Sequence, residues 1–202
     1  MFDHVSDNFK VKLNEQKNFL LNAYFEAVKV VEKLGLKNIY IWGVDYDLQG
    51  SICIGINSID RLSKSDLNKI DVIELKYLDS YFTDEIFSTG DWIYQDLSNK
   101  NIEIYNLTKE LVDILYESNR EIWSFWHYVD DNLMSEEIFY SYGEKMKYIF
   151  QEFCFSVREE AIQKNELCRE YMDNRLFFVI EHDDSLEEAI ERNYIKTGRI
   201  VV

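Results

Sequence analysis

A chain of 202 residues that is 47% hydrophobic and 15% aromatic is long enough to bury a substantial core and too apolar to be disordered. Its 38 acidic against 22 basic residues give a formal charge of −16, a field that repels nucleic acid and anionic membrane surfaces and favours basic partners. The same acidity also suits plain solubility. It is uneven: residues 1–100 hold 16 acids and 11 bases, a net −5, and residues 101–202 hold 22 and 11, a net −11. No apolar run approaches the roughly 18 residues of a membrane span, and the start Met1-Phe-Asp-His has neither the basic nor the apolar region of a secretory signal. Three cysteines, Cys53, Cys154 and Cys168, form no Cys-x-x-Cys pair, so a reducing cytoplasm is the expected compartment. Proline is absent and glycine is scarce, so nothing marks a linker, and residues 1–202 are read as a single domain.

In chain order, Leu13, Leu20, Tyr24, Ala27, Val28 and Val31 recur at three- and four-residue steps. They predict an amphipathic helix from about Lys12 to Leu34, with Gly35 as its stop. Two β-favouring runs follow, Ile39–Val44 and Ser51–Ile56, joined by the polar link Asp45–Gly50; this is a hairpin pattern. On the second arm Ile52, Ile54 and Ile56 share one face, opposite Ser51, Cys53 and Gly55. Asp60–Ile70 suits a short capped helix, and Val72–Leu75 a strand or an irregular crossing. Phe87–Tyr94 sets large aromatics on either side of a turn at Gly90.

Asn101–Tyr105 alternates as a short strand would, and a helix is expected after it through Leu107, Leu111, Ile114 and Leu115, capped by Asn106 or Thr108. The longest helix is expected from Ser135 to about Lys164, on a stripe that begins at Ile138, Tyr142 and Met146 and ends at Phe153, Val157 and Ala161. Arg175–Glu181 reads as a buried strand, Ser185–Asn193 as a short helix capped by Ser185, and Gly198–Val202 as an added edge strand. Together these elements predict an α+β fold: a central, mostly antiparallel sheet built on the hairpin, covered by several helices including the long one near 135–164.

Motifs with chemistry are few. Asp45-Tyr-Asp47-Leu-Gln-Gly50 begins like a calcium loop but has Gln49 and Ile56 where the third ligand and the bidentate Glu belong. His127-Tyr-Val-Asp-Asp131 and Glu181-His-Asp-Asp184 each bring an imidazole near carboxylates, at places where element ends are expected to be polar anyway. The cysteines read as inert core positions. Phosphate-binding glycine loops, nucleophile elbows and zinc-protease signatures are all missing, and no Lys/Arg cluster exceeds two neighbours.

At Phe87-Ser-Thr-Gly-Asp-Trp-Ile-Tyr94 the chain resembles the bacterial domain-of-unknown-function family 4303, where the element is written Trp-Ser-Pro-x-Glu-Trp-x-Tyr. Ser88, Trp92 and Tyr94 match, while Phe87, Thr89 and Asp91 replace Trp, Pro and Glu. The strand Tyr40-Ile-Trp-Gly-Val-Asp-Tyr-Asp47, a second strand ending at Asn57, a helix pair and a late strand ending in acidic residues extend the resemblance from about Leu13 onward. It implies an α+β domain without established chemistry, of a kind often found near bacterial polymorphic toxins and linked to immunity functions.

The expectation is therefore a cytoplasmic, non-enzymatic protein-binding module that neutralises a basic protein such as a toxin, with no cofactor, metal, nucleic-acid or membrane partner. Its face would draw on Asp130, Asp131, Glu136, Glu137, Asp183 and Asp184. Trp92 and Tyr94 would serve as aromatic anchors or as core. The rival is a small enzyme or ligand-binding domain with a carboxylate-lined cleft beside the hairpin, using Asp45, Asp47 or His127. A third reading, a subunit of a homo-oligomer, would show as an exposed apolar patch.

Overall fold

The computed structural model describes residues 2–48, 50–58, 92–173 and 175–197. The expectations on Asp60–Ile70, Val72–Leu75, the turn at Gly90 and Gly198–Val202 lie outside them. The first amphipathic stripe starts earlier than expected: Val5, Phe9 and Leu13 are buried on α1 (Phe2–Glu15), ahead of α2 (Lys17–Leu34). The break falls at Gln16, inside the polar run Asn14–Asn18, where no apolar side chain holds the helix to the core. Gly35 ends α2 in the left-handed conformation, φ 64°, as the sequence predicts.

The hairpin forms with longer arms than its apolar runs suggest. β1 (Ile39–Asp47) pairs antiparallel with β2 (Ser51–Ser58), so the link shrinks to residues 48–50, and Gly50 sits at φ +146°. β3 (Leu176–Glu181) then pairs parallel with β1, giving the order β2-β1-β3. The sheet is thus mixed, with one antiparallel and one parallel pair. A parallel partner needs a long crossover, and the stretch between β2 and β3 that holds the helices from Ile102 to Met172 supplies it.

One face of this sheet carries Ile52, Ile54 and Ile56 beside Trp42, Val44 and Tyr46 of β1 and Phe177 and Val179 of β3, all buried. Helices close over it. Tyr24 of α2 meets Phe177 edge-on at 6.1 Å, and Phe150 packs on Tyr46 at 4.5 Å. The Trp42 indole N–H donates to the Tyr171 carbonyl at 2.7 Å, so its burial leaves no orphan donor.

On the opposite face Gly43 and Gly55 are cross-strand partners, and the Trp92 ring lies directly on them. A Cβ at Gly43 would collide with Trp92, and one at Gly55 would come within 3.0 Å of both Trp92 and the Tyr94 carbonyl. Tyr94 continues the sheet through a two-way backbone bridge to Ile56, at 2.9 and 3.3 Å.

The run Asn101–Tyr105, which alternates like a strand, is the start of α3 (Ile102–Trp123). Asn101 itself is the cap, its carboxamide oxygen accepting from the Glu103 N–H at 3.1 Å. Ile104, Thr108, Leu111 and Leu115 then continue a buried helical stripe, so the expected caps Asn106 and Thr108 lie inside the helix. A single-turn helix α4 (His127–Asp130) leads to α5 (Glu136–Lys164), capped by Ser135, whose Oγ accepts from Ile138 N–H at 3.3 Å. The α5 stripe is buried from Met146 to Ala161, but at its start Phe139 turns inward and Ile138 stays 50% exposed.

α6 (Glu166–Met172) leads into β3, and α7 (Leu186–Thr197) follows with a reciprocal Ser185–Glu188 capping box. On α7, Asn193 bonds both the Val179 N–H and the Val179 carbonyl, at 3.1 and 2.8 Å. Its amide thereby stands in for a neighbouring strand at this edge of the described sheet. Among the described residues no helix is long and apolar enough to cross a membrane.

The glycine platform predicts coupled costs. Gly43→Ala should destabilise by about 1–3 kcal/mol through overpacking, and Trp92→Ala by about 3–5 kcal/mol through the cavity it leaves. The double variant should cost less than the sum, because the methyl enters the vacated space. Urea unfolding midpoints of the three variants measure this coupling.

Candidate functional site

The parallel register that sets Tyr46 beside Glu181 brings two strand ends to one edge of the sheet. β1 runs out into Asp47 and Leu48, and β3 into His182, whose N–H donates to the Tyr46 carbonyl at 2.7 Å. Across from them stand the end of α3, with Asn119, Ile122 and Trp123, and the first turns of α5, with Phe139, Tyr140 and Gly143. Between these elements lies a cleft of about 290 Å³. Its charged lining is Asp47, Glu144, Lys147, Glu181 and Asp183.

An ionic network centred on Asp184 joins the cleft through Glu144, Lys147 and Glu181. The Asp184 carboxylate is almost fully enclosed and receives Lys147 Nζ at 2.5 Å and Arg192 Nη1 at 2.6 Å. Lys147 also reaches Glu144 at 3.1 Å and Glu181 at 3.6 Å, and Arg192 Nη2 reaches Glu144 at 3.2 Å. Burial pulls the Asp184 pKa upward, but bonds to Arg192 and Lys147 outweigh it and hold the carboxyl below its ordinary value. Glu181 goes the other way: burial raises its pKa, opposed by Lys147 and reinforced by the Asp184 charge. The Tyr46 hydroxyl, buried and within reach of the Arg192, Asp184 and Glu181 charges, is likewise pushed up by burial.

Beside the cleft the surface turns aromatic. Trp123 and Tyr140 are 49% and 52% exposed, and Trp126 packs between them, 5.6 Å from Trp123 and 6.1 Å from Tyr140. Phe139 supports this cluster from below, 5.2 Å from Trp123 and 4.9 Å from Trp126. The turn that delivers it closes through Leu133 N–H to the Tyr128 carbonyl at 2.8 Å, with Asn132 in the left-handed region at φ 56°.

The expected partner-binding residues divide between surface and interior. Asp130 and Asp131 are exposed at the end of α4, and Glu136 and Glu137 on the first turn of α5, so all four flank the turn beside the aromatic cluster. Asp183 is exposed at the cleft. Asp184 is not a surface acid, because Lys147 and Arg192 draw it inward. Trp92 is not a surface anchor either, being 3% exposed on its glycine platform. Tyr94 is half-buried, with Lys100 Nζ over its ring at 5.6 Å.

Of the residues assigned to a cleft, Asp47 does line it. Asp45 is drawn toward His182, 3.9 Å away, and His127 is exposed, with Nδ1 2.9 Å from the Ser124 carbonyl. Asp45 and Asp47 also lie in extended β1, with no loop to wrap a calcium ion. Among the described residues no group of three or more His, Cys, Asp or Glu is arranged to hold a metal. Burial pushes the Cys53 and Cys168 thiols up to about 12 and raises Cys154 too, so none is poised as a thiolate.

Sequence reasoning missed Trp123, Tyr140, Glu144 and Lys147, and weighed Glu181 only within Glu181-His-Asp-Asp184. The cluster Trp123-Ser-Phe-Trp126 at a helix end was the available signal, since large aromatics at an exposed helix terminus lack a reason in packing. Comparison with known protein families, with curated proteins and with solved structures finds no match to this chain.

The Asp184 network has a defined pH signature. Its folded pKa lies below the ordinary value of 3.8, so its stabilisation is present above that value and is lost as pH falls through the folded pKa. Asp184→Asn should cost about 3 kcal/mol at neutral pH, the low end for a broken buried pair, because Lys147 and Arg192 lose their closest carboxylate and keep Glu144 and Glu181. It should also flatten the stability curve at the acid end, which urea unfolding at a series of pH values measures.

Proposed function

We propose that this chain is a cytoplasmic protein-binding module for a basic partner, acting as an immunity protein does when it neutralises a basic toxin. The observation that carries this reading is the pair of half-exposed aromatics Trp123 and Tyr140, joined through the partly buried Trp126, with the exposed acids Asp130, Asp131, Glu136 and Glu137 on the adjoining turn and helix ends. Exposed aromatics on a rigid helical base, with like charges around them, have the composition of a binding hot spot and its polar rim. The net charge of −16 adds long-range steering toward a cation. Tyr105 and Tyr116, 51% and 49% exposed, lie in line with Trp123 on the outer face of α3 and lengthen the surface. The resemblance to family 4303 agrees with this reading and rests on its quoted residues.

A second reading is a small enzyme or ligand-binding domain. It draws support from the convergence of Asp47, Glu144, Glu181 and Asp183 in one cleft and from the raised Glu181 pKa. Against acid–base work there, Lys147 and Arg192 already bind the inner carboxylates.

A pull-down from the source cell, washed at low and then high salt, tests the proposal. One basic protein should be recovered and released by salt. Its retention should fall with Asp130→Asn, Asp131→Asn, Glu136→Gln and Glu137→Gln together. Trp123→Ala alone should weaken binding by about 2 kcal/mol or more, as expected for a hot-spot aromatic. Recovery of no basic protein, together with concentration-dependent self-association in light scattering, would replace this reading with a homo-oligomer.

A further inference from the structure

Resting on that reading, we infer that the cleft beside β1 and β3 receives an arginine side chain of the basic partner. Four observations converge on this occupant. The first is size: at about 290 Å³ the cleft lies at the lower limit of small-molecule sites, which begin near 300 Å³, so it suits one long side chain better than a cofactor.

Charge is the second. The lining holds four acids, Asp47, Glu144, Glu181 and Asp183, against one base, Lys147, a net of −3 when all are ionised. Lys147 is committed to Asp184, Glu144 and Glu181, which leaves the cleft as a whole complementary to one more cation.

The third is the aromatic wall. Trp123 and Tyr140 both line the cleft, and each is about half exposed overall. A guanidinium stacks on aromatic faces while its edge pairs with carboxylates, and it sheds its hydration more readily than an ammonium does. An aromatic wall next to carboxylates thus matches arginine better than lysine.

The fourth is Gly143, on the interior of a 29-residue helix. Glycine in such a position costs about 1 kcal/mol relative to alanine. Nothing in the packing requires it, since a Cβ there would meet no atom within 4 Å. The missing side chain instead keeps open the wall between Tyr140 and Glu144.

The test uses the full chain and three blocked peptides, Gly-Gly-X-Gly-Gly with X arginine, lysine or citrulline, followed through the tryptophan indole NMR signals. The Trp123 signal is assigned with Trp123→Phe. The arginine peptide should shift it saturably and bind about fivefold or more tighter than the lysine peptide, with the citrulline peptide inert. Gly143→Leu should abolish the shift while keeping the helical content and holding or raising the unfolding midpoint, since it also removes a helix-interior glycine. Gly143→Ala, which adds one methyl to open space, should weaken it in a fully folded protein.

Equal, non-saturating shifts from the arginine and lysine peptides would overturn the inference. So would a basic partner that binds Gly143→Leu as tightly as the unaltered chain, although the partner reading would then survive. Saturable arginine binding with no basic protein recovered in the pull-down would leave the cleft's preference standing and remove the partner reading instead.

Discussion

The parallel register of β1 and β3 is the constraint on which the functional end of this molecule depends. Setting Tyr46 opposite Glu181 makes both strands deliver their polar exits to one place. It also carries Asp184 under α5, where Lys147 waits, and within reach of Arg192 on α7. Three separate elements are then tied by one carboxylate. Removing a charge from water is costly, and here the cost is offset by two cations and a nearly complete set of hydrogen bonds. The network thereby fixes Lys147 and Glu181 where they line the cleft, while Asp183 stays exposed beside them.

The two faces of the sheet solve different packing problems. One presents isoleucines and large aromatics to α2, α3 and α5, and burial of such side chains contributes about 1.5–3 kcal/mol each. The other had to admit an indole flat against the backbone. Only paired glycines allow that approach, because any side chain at Gly43 would strike the Trp92 ring. Trp92 thus serves the fold from the side away from the α3–α5 aromatics. Tyr94 extends the sheet edge by its backbone and leaves its ring half-buried.

The exposed aromatics follow a different logic. Trp123, Trp126 and Tyr140 rest on Phe139, which itself is buried, so the cluster is held in place without being covered. Acidic residues surround it because α4 ends and α5 begins there. Glu136 and Glu137 favour the positive N-terminal end of α5, and Ser135 caps it. Local helix chemistry and a surface suited to a basic partner therefore call for the same residues, and composition alone does not separate the two roles.

Much of the fold was legible in local signals. The hairpin, the long helix after Ser135, the strand ending at Glu181, the stop at Gly35 and the cap at Ser185 all follow from short-range rules that act within a turn or a strand pair. Asn101–Tyr105 misled because five alternating residues satisfy a strand pattern and the first turn of a capped helix equally well. What the sequence by itself determined was the set of elements and the acidic bias. Only tertiary structure decided that β3 joins in parallel, that Asp184 goes inside while Asp183 stays out, and that Trp92 is core while Trp123 is surface. Those outcomes depend on contacts between different elements, 37 residues apart for Lys147 and Asp184 and more than a hundred for β1 and β3, and periodicity carries no information at that range.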